Sequence, residues 1–413
     1  MGSGAVERQL GERMKRLLVS EIFPPRSGGS GRWFWEIYRR LSRANHVIAA
    51  GENPQQQAFD QTHDLRIERI PLSMTQWGLR SWIGLRGYAR AIRHLQSIVR
   101  REKIGFVHCG RCLPEGVMVL ALKLFLRVPY LVYVHGEDIN TARDSRELTW
   151  LVRQVLQRAD CLIANSVNTA NLLLNDWQRP ASQVRVLHPG VDVVRFVPAA
   201  RNDQVRERLG WQGRRVVLIA GRLQRRKGQD QMIRAVSLLR DRLPDLLCCL
   251  VGQGEDESYL RQLAADLHVT ERIQFRGEAA DSELIECFQQ CDLCALPNRQ
   301  VGQDIEGFGM VLLEAQACGR PVLAGASGGT AETMRVGETG CIVPCDGPEE
   351  LAEKVAELLS DPQRLDRMGV AGRAWVTEKF AWDALTTEAQ SLFDELESRG
   401  AKSVPDDVVR SRQ

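Results

Sequence analysis

The chain has 413 residues, 44% hydrophobic and 26% charged, an ordinary globular composition with room for two domains and two cores. No stretch approaches the roughly 20 apolar residues of a membrane-spanning helix, and Met1 to Arg16 is polar, which predicts no secretory signal. The net charge of +3 divides unevenly, +11 over residues 1–200 and −8 over the rest, so the first half should attract anions and the second should not.

Short apolar or β-branched runs alternate with longer amphipathic stretches, the pattern of βαβ units and parallel sheets. The first half predicts strands at Arg16–Ser20, His46–Ala50, Leu65–Ile70, Phe106–His108, Tyr130–Val134, Cys161–Ala164 and Val184–Leu187. Helices are predicted at Arg32–Arg43, Ser81–Arg101, Glu115–Arg127, Arg146–Arg158 and Asn168–Asp176. A polar break with Pro189-Gly190 and Pro198 follows, over His188 to Gly213. A second series then predicts strands at Val216–Ala220, Leu246–Val251, Ile273–Phe275, Leu293–Leu296, Pro321–Ala324 and Gly340–Val343. Leu351 to Arg399 is helical by period, and Asp406 to Gln413 reads as a frayed tail.

Eleven cysteines, an odd number spread over the whole chain, suit a reducing compartment and a role as small core residues. Cys109-x-x-Cys112 and Cys291-x-x-Cys294 have the spacing of zinc or redox half-sites, but no further ligands follow at suitable spacing.

Three glycine-containing junctions carry candidate chemistry. After the first strand comes Pro24-Pro25-Arg26-Ser27-Gly28-Gly29, where glycines admit close backbone approach and a helix N-terminus offers free N–H groups to an anion. Its spacing is not the G-x-G-x-x-G of dehydrogenases, and a plain strand-to-helix turn would look the same. After the first strand of the second half comes Gly221-Arg222-Leu223-Gln224-Arg225-Arg226-Lys227-Gly228. Arg222 and Lys227 there could neutralise a diphosphate by charge-assisted bonds, or form a solvated basic loop. The third is Asp304-Ile305-Glu306-Gly307-Phe308-Gly309-Met310-Val311-Leu312-Leu313-Glu314, predicted helical from Phe308. Glu306 would then lie in the loop and Glu314 on the second turn, with helix N–H groups between them.

Together these junctions resemble the retaining glycosyltransferase family 4, from about Arg16 to Leu396. Supporting pieces are Pro189-Gly190-Val191-Asp192 with Phe196, Ser327-Gly328-Gly329-Thr330-Ala331-Glu332, and Gly337-Glu338-Thr339-Gly340. The resemblance implies an α/β GT-B fold, two Rossmann-like domains with parallel sheets facing across a cleft. It implies an N-terminal acceptor domain at 1–190, a nucleotide-sugar donor domain at 191–380, and at 381–413 a helix returning toward the N-terminal domain plus a tail. It also implies a cytoplasmic transferase that takes a nucleoside diphosphate sugar, weakly GDP-mannose, and needs no obligatory metal. Arg222 and Lys227 would hold the diphosphate and stabilise the leaving group, and the Ser27, Gly28 and Gly29 backbone would close over the phosphates. Glu314 would bind the ribose, Glu306 and His135 would meet the donor sugar, and Gly307, Phe308, Gly309 and Met310 would line the donor. With cations neutralising the diphosphate and no Asp-x-Asp element placed for a metal, no metal ligand is assigned.

The segment from Trp77 to Arg93 mixes aromatic and basic residues at helical spacing, which suits either an anionic membrane surface or a solvated face over a core. The acceptor is unknown, residues 51–64 and 138–147 being candidate acceptor loops. UDP-sugar transfer, sugar-nucleotide epimerisation and non-catalytic nucleotide-sugar binding are the alternatives. Nucleic acid is not an expected partner, because the basic residues follow no recognised module.

Overall fold

The computed structural model describes residues 14–26 and 28–402. The predicted frayed tail, Ser27, and Met1 to Arg13 of the polar N-terminal stretch lie outside them.

The first sheet has seven parallel strands: β1 Lys15–Ser20, β2 His46–Gly51, β3 Ile67–Ile70, β4 Ile104–Cys109, β5 Tyr130–Val134, β6 Cys161–Ala164 and β7 Val184–Val186. Their order is β3-β2-β1-β4-β5-β6-β7. The second has six: β8 Arg215–Ala220, β9 Leu246–Val251, β10 Ile273–Gly277, β11 Leu293–Leu296, β12 Val322–Gly325 and β13 Gly340–Val343. Their order is β10-β9-β8-β11-β12-β13. All thirteen predicted strands form. Parallel strands covered on both faces must be apolar throughout, so β9, Leu-Leu-Cys-Cys-Leu-Val, is buried along its whole length.

The chain divides into two units. Among the described residues the first runs to Asn165 and takes Ala170–Leu187 and everything from Leu385; the second holds Ser166–Thr169 and His188–Ala384. In the first, Leu17, Val19, Val107, Val132 and Leu162 pack under the helices Trp82–Glu102, Glu115–Leu126 and Arg146–Arg158. From Leu385 onward the helix Trp382–Lys402 joins the same unit, where the buried Arg16 guanidinium binds Glu397 and, at 2.6 Å, Asp394, and the Phe393 ring stands 4.4 Å from that of His108. In the second unit alternate residues of β8 serve opposite cores, Val217 and Ile219 one, Val216, Leu218 and Ala220 the other, as the period of two requires.

Three helical expectations need correction. The first helix is Gly29–Tyr38, not 32–43; its basic C-terminal residues continue the period but turn away, and Arg43–Asn45 forms a separate 3₁₀ turn. The break at 188–213 holds the helix Asp203–Leu209, capped by Asn202 Oδ1 accepting from Val205 N at 3.1 Å; its seven residues are too few to show a period. The helix expected to begin at Phe308 begins at Met310, because Gly309 takes φ 93°, outside the helical region. No helix among the described residues is long and apolar enough to cross a membrane.

Candidate functional site

In an open parallel sheet, ligands bind beyond the carboxyl ends of the strands where the strand order reverses. In the second sheet that point lies between β8 and β11, followed by residues 221–228 and 297–309. The backbone laces these loops together. Arg299 N donates to Arg226 O at 2.9 Å, Leu223 N to Gln253 O at 3.0 Å, and Gly329 N to Glu306 O at 3.1 Å. Asn298 closes the next gap, its Oδ1 accepting from Gly325 N and its Nδ2 donating to Ser327 O. Gly228, at φ 74°, must be glycine, because a Cβ there would overlap the Pro297 carbonyl. Below the loops Arg299 meets Asp230 through two bonds of 2.8 Å, the bidentate fork that fixes both partners.

Lys227 and Glu306 face each other here, Nζ to Oε2 at 2.5 Å, with Arg226 Nη1 3.5 Å from the same oxygen. Arg226 is also held through Nε by Asp304 at 3.0 Å. Burial pushes the Glu306 carboxyl up, but Lys227, Arg226 and the Phe308 N–H outweigh it and leave it below the ordinary carboxylate range. Glu306 is therefore an anion at neutral pH, and Lys227 has two further N–H donors to offer a ligand. Arg222 is exposed and has no ion-pair partner among the described residues. Gly307, Phe308 and Gly309 lead directly into the helix Met310–Ala317, and Glu314 is buried on its second turn.

The reversal in the first sheet lies between β1 and β4. Gly28 precedes the helix Gly29–Tyr38, which has no side-chain cap among the described residues. A Cβ on Gly28 would press within 2.8 Å of Ile22 Cγ2. Beside it Arg111 binds both Glu21 and Glu115, and Arg26 binds Glu21 at 2.6 Å. His135 follows β5. Its Nε2 lies 2.8 Å from Gly110 O, and a carbonyl can only accept, so Nε2 carries hydrogen and Nδ1 keeps its lone pair in the neutral ring. Trp33 and Phe34 pack edge-on against that ring at 5.7 and 6.0 Å.

The second unit thus brings Lys227, Glu306, Gly307, Phe308, Gly309 and Met310 together, with Arg222 in the same loop but turned to solvent. Ser27 lies outside the described residues. Sequence reasoning passed over Arg226, Asp304, Arg299 and Asp230 as partners, and Glu332, which meets His188 at 2.9 Å. Arg226 had a signal, a second cation beside Lys227; the others pair across gaps of 69 to 144 residues, which no local pattern shows. The cysteine pairs are buried free thiols, with burial pushing both Cys291 and Cys109 well above the usual thiol value, far from thiolate chemistry.

Two doubly wound units with charged loops gathered where the strand order reverses define the class of Rossmann-like proteins that take phosphorylated ligands at strand ends. Residues 27–195 match the glycosyltransferase family 4 domain and residues 201–375 the domain described as glycosyl transferases group 1. A GDP-mannose-dependent alpha-(1-6)-phosphatidylinositol monomannoside mannosyltransferase of Mycolicibacterium smegmatis is 42% identical over 381 residues, 89% of this chain and 94% of that one. The protein of the same description from Mycobacterium tuberculosis H37Rv is 33% identical over 385 residues, 90% of this chain and 96% of that one. HepE from Anabaena, solved with UDP, superposes with a TM-score of 0.77 at 20% identity, covering 92% of this chain and all of that one. The chain belongs to glycosyltransferase family 4, is a glycosyltransferase, and has the GT-B fold.

Proposed function

We propose that this enzyme moves a hexose, with retention at the anomeric carbon, from a nucleoside diphosphate sugar to a hydroxyl of a lipid-linked, glycan or small polar acceptor. The observation that carries the reading is the Lys227–Glu306 ion pair, with Glu306 buried, at the strand reversal of the second sheet, beside the start of the helix Met310–Ala317, which has no side-chain cap among the described residues. GDP-mannose is the favoured donor, because the relatives at 33–42% identity are described as GDP-mannose-dependent. Lys227 and Arg222 neutralise the diphosphate as charge grows on the leaving oxygen, a role that makes a divalent ion dispensable. Glu306 and the His135 imidazole orient and stabilise the sugar, and Glu314 takes the ribose hydroxyls. The bond from the anomeric carbon to the phosphate oxygen breaks, the acceptor oxygen bonds on the same face, and its proton passes to the departing phosphate.

The acceptor reading is a site at the cytoplasmic face of a membrane. Trp82 and Ile83 at the start of the helix Trp82–Glu102 are 72% and 63% exposed, and Arg86, Arg90 and Arg93 line the same helix. Exposed apolar side chains followed by exposed arginines on one helix suit the boundary of an anionic bilayer. A panel of GDP- and UDP-sugars tests the function, with transfer to phosphatidylinositol mannoside in vesicles followed by NMR of the product anomer. GDP-mannose turnover giving an α-linked product, unchanged by chelator, supports the reading; preference for a UDP-sugar, inversion or loss on chelation contradicts it.

A further inference from the structure

Glu332 stands outside the catalytic roles assigned above, yet its carboxylate is fully engaged. It accepts from Val167 N at 2.7 Å, Asn168 N at 2.9 Å and His188 Nε2 at 2.9 Å. The carboxylate can only accept, so Nε2 of His188 carries the hydrogen and the plane of the ring is set. That ring packs against Phe308 at 5.3 Å and Phe380 at 5.8 Å, and Phe308 meets Phe380 at 5.9 Å. The backbone N–H of Phe308 in turn binds the Glu306 carboxylate, which holds Lys227.

The turn that carries Glu332 grips the same segment from its other side. Gly329 N donates to Glu306 O at 3.1 Å, and Gly328, at φ 70°, and Gly329 lie so close to the Glu306 and Gly307 carbonyls that a Cβ on either would overlap them. Filling this space would need only an apolar side chain. A charged, three-fold hydrogen-bonded carboxylate instead sets direction.

We propose that Glu332 and His188 are positioning residues for the sugar donor: together they fix Phe308, and through it the placement of the Glu306 carboxylate against Lys227. The inference rests on the donor-site reading above. Neither side chain need touch the donor for this role.

The test compares the wild-type enzyme with Glu332→Gln, His188→Phe and the double variant, using GDP-mannose turnover and the thermal midpoint of each. The Gln side chain keeps one acceptor oxygen in place of the two that share the Val167, Asn168 and His188 bonds, and so cannot keep all three, and the Phe side chain keeps a ring against Phe308 without the N–H. Each single variant is expected to raise the donor KM about tenfold with kcat within about threefold. The double variant is expected to be no worse than the more affected single, because both act through one contact. An unchanged donor KM with kcat falling only as folded protein is lost would overturn the inference, as would single effects that multiply. Should the wild type turn over neither GDP-mannose nor any UDP-sugar, the donor-site reading falls, and the inference with it.

Discussion

Replacing Lys227 with Met removes the ammonium 2.5 Å from Glu306 and keeps most of the stem. The Glu306 charge is then left buried with Arg226 at 3.5 Å and the Phe308 N–H. Breaking a fully buried pair costs about 3–5 kcal/mol, and the remaining guanidinium lowers that here to about 2–3 kcal/mol. For a unit of about 200 residues this is a fall in thermal midpoint of about 4–12 °C. The double variant Lys227→Met with Glu306→Gln should recover at least half of the loss, because a neutral amide needs no counter-charge. Glu306 titrates lower in the folded chain than unfolded, so the stabilisation is complete above pH about 4.3 and fades as pH falls through the folded value. Calorimetric unfolding of wild type, both singles and the double, at pH 7 and pH 3.5, measures all of this. A single Lys227 variant as stable as wild type at pH 7, or strictly additive losses in the double, would refute the reasoning.

His135→Ala should lower kcat about 10²-fold with nucleotide affinity unchanged, checked by steady-state kinetics beside a GDP titration. Arg222→Ala should raise the donor KM about 10- to 100-fold without moving the thermal midpoint, since the exposed side chain holds nothing in the fold. Burial, outweighing the Ser42 carbonyl, brings His46 down to about 4. The unfolded chain therefore binds more protons between pH 6.5 and 4, and stability should decline by about 3 kcal/mol across that window. His46→Gln should flatten that slope in urea titrations if it folds as the wild type does. Trp82→Glu with Ile83→Glu should abolish flotation with phosphatidylglycerol vesicles; retained flotation would place lipid contact elsewhere.

The sheets were legible because parallel strands under helices on both faces must be apolar end to end, and runs such as Val216–Ala220 and Leu246–Val251 are. The loops bearing candidate chemistry were legible too, since charge and glycine concentrate at the ends of β8 and β11. Which charge meets which was not. Arg222, Arg226 and Lys227 are equivalent by spacing, and only the arrival of residues 304–306 from the next strand end separates them: Lys227 onto Glu306, Arg226 onto Asp304, Arg222 left to solvent. Helix ends were misplaced for a related reason, as an amphipathic period says nothing of a glycine at φ 93°. Glu332 stood in a recognised motif, but its role depends on His188 and Phe308, whose positions only the fold supplies.

Calorimetric titration of GDP into the wild-type enzyme and into the variant combining Arg222→Ala with Lys227→Met bears most directly on a diphosphate seated at the ends of β8 and β11. Saturable binding by the wild type, weakened at least about 100-fold in the variant, is the outcome expected from loss of two charge-assisted contacts. Equal affinity in both proteins would contradict it.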